Sequence, residues 1–240
     1  MFKALLQSLC LVRPPLESIH FNGDFRETFT RVRVESWWHN LRLDHLTKLC
    51  FDKFPFNTKD YTDTGRRQER IESAQTSLAA WLEKSHSTLQ SLELARHVAD
   101  EERMTWQSIS RLDFPRLRSL ELMGISISPG LLAEDLKCLP RLQDVWLQDC
   151  LTEGGSSAWK LFFDTIRQHP NEVCLILGNI DPAVGQFEDD MMWSFTFDTE
   201  GRAKYQTPNE LSAAVDKDLT LYLSDQGYWT RSMENFFADF

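Results

Sequence analysis

Between Leu117 and Cys150 one pattern, Leu-x-x-Leu-x-Leu followed by a helix-like segment, occurs twice in near tandem. The first copy is Leu117, Leu120, Leu122 and Ile125; the second, 25 residues on, is Leu142, Val145, Leu147 and Cys150. Side chains two apart point the same way on a strand, so each copy predicts a short strand with one apolar face. A lone strand and helix cannot bury such a face. Copies must stack until their inward leucines are continuous, each contributing roughly 1.5 to 3 kcal/mol when fully buried.

Looser copies flank the pair. Leu16, Ile19 and Phe21 make the first, Leu46, Leu49 and Phe51 the second, Leu89, Leu92 and Leu94 the third, and Leu175, Leu177 and Ile180 a weaker sixth. From Leu16 through Leu46, Leu89, Leu117 and Leu142 to Glu172 the spacings are 30, 43, 28, 25 and 30 residues. They suit long, irregular repeats with outer helices. The predicted fold class is α/β: an irregular leucine-rich repeat solenoid over 1–180, its parallel strands on the concave face and helices outside. An acidic α+β cap over 181–240 closes it.

The connections follow the same logic. Pro14 and Pro15 stop a first helical stretch from Phe2 to Leu11, and polar residues 57–70 form an exposed loop. Ile71, Leu78 and Leu82, with Trp81, predict a helix, and Asp100 a cap for a short one carrying Met104, Ile109 and Leu112. The Trp37-Trp38 pair is packing. Ser128 followed by Pro129 starts a helix carrying Leu131, Leu132, Leu136 and Leu139. After Gly154-Gly155, Ser156 or Ser157 caps a helix whose Ala158, Phe162, Phe163 and Ile166 form one apolar face. In the tail, Trp193, Phe195 and Phe197 alternate into a hairpin with Ala203 and Tyr205. A helix over Leu211 to Leu223 and a short aromatic one after Trp229 follow.

The stretches LRSLELMGI, LPRLQDVWLQDC and GYWTRSMENFF give the chain its likeness: from Leu16 to Ile180 it resembles the leucine-rich repeat region of fungal F-box proteins. The resemblance implies substrate recognition in a cullin-type ubiquitin ligase, the repeats holding the target. No F-box pattern is visible before Leu16.

Charge narrows the partners. Residues 181–240 carry 12 acidic and 4 basic side chains, leaving 22 basic against 24 acidic in the repeats, which offer nucleic acid no basic footprint. No apolar run is long enough to span a membrane, and the start lacks the small-residue cleavage region of a signal peptide. Cys10, Cys50, Cys138, Cys150 and Cys174 are odd in number and lack C-x-x-C spacing, as expected of reduced thiols in a cytoplasmic or nuclear protein.

Catalytic constellations are not apparent. Gly154-Gly155-Ser156-Ser157 precedes a helix but lacks the G-K-[ST] ending of a phosphate loop. Glu188-Asp189-Asp190 reads as a solvated acidic face, or, in a second reading, as the metal site of an enzyme or enzyme regulator. No cofactor is expected. Alternation instead points the residues between the leucines to the open side: His20, Cys50, Glu93, Glu121, Trp146 and Ile176, flanked by Arg96, Asp144, Gln148 and Asp149. Glu93, Arg96, Glu121, Trp146, Gln148 and Asp149 are the candidate protein-binding residues of a non-catalytic interaction module. Trp146 is either its aromatic anchor or a packing contact for the terminal cap.

Overall fold

The structure, a computed structural model, describes residues 8–9, 11, 15–22, 38–52, 76, 78–95, 105–106, 113–178, 180–182, 194–197 and 210–239. Two residues after the start of each copy a five-residue strand begins: β1 (Ser18–Asn22), β2 (Lys48–Asp52), β3 (Ser91–Ala95) and β4 (Ser119–Met123). Short β5 (Ser126–Ile127) and helix α1 (Pro129–Lys137) lead to β6 (Asp144–Gln148). Short β7 (Leu151–Thr152) and helix α2 (Gly155–Arg167) lead to β8 (Cys174–Gly178), then β9 (Asp181–Pro182) and β10 (Ser194–Phe197). Helices α3 (Glu210–Leu223) and α4 (Arg231–Phe236) follow.

The fold is mixed α/β around a mostly parallel sheet. Strands β1, β2, β3, β4, β6 and β8 pair in chain order, all parallel, and β10 adds to β8 antiparallel. Register is strict: Leu49, Leu92, Leu120, Val145 and Leu175 form one row, and Phe51, Leu94, Leu122, Leu147 and Leu177 the next. All ten are 2% exposed or less. A one-residue slip would turn a whole row to water, so burial itself fixes the register.

Just before each of β1, β2, β3 and β4 one carbonyl accepts two amides from the next crossing of the chain. Glu17 O accepts from Thr47 N–H (2.9 Å) and Lys48 N–H (3.1 Å), Thr47 O from Gln90 and Ser91, Gln90 O from Arg118 and Ser119, and Arg118 O from Gln143 and Asp144. Side chains bridge the same gaps: Asn171 Nδ2 donates to Pro140 O at 2.8 Å, and Thr88 Oγ1 to Leu46 O at 2.8 Å.

After β4 and β6 one residue turns left-handed, Gly124 at φ 66° and Asp149 at φ 52°. Asp, Asn and Gly tolerate this region best. The kink directs Ile125 and Cys150 inward, 1% and 0% exposed, and starts a second parallel sheet, β5-β7-β9. Alternation alone does not reveal this second sheet.

Helices cover the leucine side. Leu132 and Leu136 of α1 and Trp159, Phe162 and Phe163 of α2 share one core with the strand leucines, as do Leu78, Trp81 and Leu82 of the helical stretch at 78–85. Trp81 meets Phe21 and Trp38 edge-on, with centroids 5.0 and 4.8 Å apart. Trp38 is thus core, as its packing assignment requires; Trp37, the loop at 57–70 and the helix after Asp100 lie outside the described residues. Trp106 is described: its Nε1 donates to Asp135 of α1 at 2.6 Å. Burial lifts that carboxyl to about 6, partly opposed by this bond.

Two helix starts differ from expectation. Pro129 does occupy the first position of α1, but Ser128 makes no capping bond through its side chain. The N-cap of α2 is Gly154, at φ 135°, rather than Ser156 or Ser157, which lie within the first turn. A Cβ at Gly154 would sit 2.7 Å from that of Ala158, so only glycine lets the chain enter there. Trp159, unassigned in the sequence, is fully buried, while Ala158 is only partly so.

The tail packs on α2 and on the last parallel strand. Trp229 and Phe237 stack on one another (5.7 Å) and lie against Phe163 and Trp159 at 6.1 and 5.3 Å. Tyr222 of α3 donates its hydroxyl hydrogen bond to Asp164 of α2, which also pairs with Lys160 at 2.7 Å and Arg167 at 3.5 Å. Thr230 caps α4, its Oγ1 accepting from Met233 N–H at 3.3 Å. The second arm of the expected hairpin lies outside the described residues; β10 pairs with β8. No helix among the described residues is long and apolar enough to cross a membrane.

Candidate functional site

With one side of the sheet buried, alternate residues face the other way and fall into rows. The central row is His20, Cys50, Glu93, Glu121, Trp146 and Ile176, each the register partner of the next. A second row, nearer the strand starts, is Ser18, Lys48, Ser91, Ser119, Asp144 and Cys174. Met123 and Gln148 stand at the far end. Parallel strands lie about 4.8 Å apart, so row neighbours are in reach of one another.

Exposure varies along the row. Trp146 is 37% exposed, whereas Cys50 is 2% exposed, and Glu93, Glu121 and Ile176 are half-buried. Of the tail's aromatics, Trp229 and Phe237 pack on α2.

The carboxylates feel one another. Burial, then the charge of Glu93, raises Glu121 above the ordinary carboxylate range, while Lys48 opposes the shift. Burial, then a hydrogen bond with Glu93, pushes the Cys50 thiol up to about 12, so it stays protonated and unreactive. Lys48, two residues before Cys50 on the same face, is the basic member that the sequence pattern left out. Its place was legible from strand parity alone.

The expected binding residues divide. Glu93, Glu121 and Trp146 stand together, and Gln148 lies half-buried at the end of β6. Asp149 belongs to the left-handed turn after β6, its N–H donating to Gly178 O at 2.9 Å. Strict alternation from Trp146 carries Gln148 onto the face, and Asp149 stood there only as a flanking residue. Arg96 lies outside the described residues, as do Glu188, Asp189 and Asp190.

Among the described residues no group of three or more His, Cys, Asp and Glu side chains could hold a metal ion. The described cysteines are free thiols: Cys50 and Cys150 buried, Cys174 partly so, Cys138 exposed. What the face offers chemically is an accessible indole beside half-buried carboxylates. No protein-family model matches the chain, and no curated protein matches it either.

Proposed function

We propose that this chain is a leucine-rich repeat solenoid that works as a non-catalytic interaction module, holding a protein or peptide on a concave face formed by the outward rows. The observation that carries the proposal is Trp146, 37% exposed in mid-sheet beside half-buried Glu121 and Glu93. An apolar ring left in water gains by covering, and tryptophan is enriched at the energetic centres of interfaces. The carboxylates call for a partner with a basic or mixed surface. Following the resemblance to fungal F-box proteins, the module serves as a substrate-recognition subunit of a ubiquitin ligase in cytoplasm or nucleus, with residues 181–240 as its cap.

The test is affinity capture of partners from the source cell with the native chain and with Trp146→Ala and Glu121→Ala. Losing a buried interfacial tryptophan costs about 2 kcal/mol, roughly thirtyfold in affinity. Adaptor and cullin subunits among the captured proteins would support the ligase role. Native affinity in both variants for every captured partner, with binding lost on a change to the helical face, would refute the proposal.

A further inference from the structure

Around Trp146 the face has a finer design. On β6, Asp144 and Trp146 are two residues apart and so point the same way. On β4, Ser119 is the register partner of Asp144 and Glu121 that of Trp146. Glu121 therefore stands beside the indole and diagonal to Asp144, leaving the ring bordered by carboxylates on two sides. Serine at 119 fills the fourth corner with the smallest of the four side chains.

Charge around this corner is one-sided. Neither Glu121 nor Asp144 has an ion pair among the described residues. Lys48, the basic residue in these rows, stands on β2, beyond Glu93 and two strands from Glu121. The elevated Glu121 carboxyl has the same origin, a partly buried acid beside another acid.

We propose that Trp146, Glu121 and Asp144 form a seat for the guanidinium of an arginine carried by a peptide segment of the partner. The inference rests on the interaction-module reading and gives its partner a chemistry. A planar guanidinium stacks on an indole face while its edge N–H groups reach outward, so one group serves the ring and both carboxylates. A lysine ammonium is a point charge that cannot stack and fork together. Bidentate carboxylate pairing supplies the direction, and the ring excludes water from one side.

A displayed library of short random peptides, selected on the native full-length chain, tests this directly. The best binders are then resynthesised with arginine, lysine or the neutral isostere citrulline at the enriched position. Arginine should be enriched, and citrulline should weaken binding about tenfold or more. Glu121→Gln and Asp144→Asn, which keep shape and remove charge, should each weaken the arginine peptide and leave the citrulline peptide nearly unchanged. Trp146→Ala should weaken both, with Leu161→Ala on α2 as the control that leaves binding intact. Selected peptides that need Trp146 but tolerate citrulline would overturn the arginine seat and leave the face reading standing. Peptides indifferent to Trp146→Ala, Glu121→Gln and Asp144→Asn would overturn both. An empty selection would overturn the seat alone, because partner capture tests the wider reading separately.

Discussion

Single residues set how far the alternating pattern extends, and Asp149 shows where it stops. At φ 52° it holds a conformation that costs most L-residues roughly 1 to 2 kcal/mol, and it sits where Gly124 sits one copy earlier. Asp149→Gly should therefore keep the melting temperature within a degree or two, whereas a β-branched Asp149→Val should lower stability by about 1 to 2 kcal/mol. Equal stability of the two in denaturant titrations would dismiss the turn role. The same position explains what was legible beforehand. Period-two alternation was enough to place Glu93, Glu121 and Trp146 on one row, because their strand geometry is uniform. Strict alternation from Trp146 reaches Gln148 and not Asp149, which was only a flanking choice, and its left-handed turn leaves no trace in hydrophobic periodicity.

At the level of elements, strands announced themselves through leucine spacing, and α1 and α2 through apolar residues at helical intervals. Their boundaries depended on contacts outside the pattern. Gly154 begins α2 because Ala158 leaves no room for a Cβ, and Trp159 is core because Phe237, far along the chain, covers it. The junction of α2 with α3 carries a pH signature. Burial alone would raise Asp164, but hydrogen bonds from Lys160 and Tyr222 outweigh it and hold the carboxyl below its ordinary value. A carboxyl depressed on folding adds stability above its unfolded pKa of about 3.9, and that stability is lost as pH falls through the folded value. Asp164→Asn should thus melt lower than the native chain near neutrality, with the gap closing in acid. A gap that is constant across the acid range would remove Asp164 from the junction's energetics.

Over the whole molecule, β10 and the helices α3 and α4 cover the last parallel strand and the aromatic side of α2. Deleting 181–240 would bare the edge of β8 together with Trp159 and Phe163, and an unpaired edge beside exposed aromatics invites self-association. Size-exclusion chromatography with light scattering should show aggregates; a monodisperse product with unchanged melting would show that the segment protects nothing. That the tail packs back on the chain was only partly readable, since its aromatic content signalled burial without saying against what. The order of the main sheet has a mechanical consequence. Among the described strands each parallel one is bonded only to its neighbours in chain order, and none of them clasps the first to the last. Stretched between its ends in a force spectrometer, such a chain has no central clamp to break. It would peel from the outside inward, one crossing at a time, as a run of small steps.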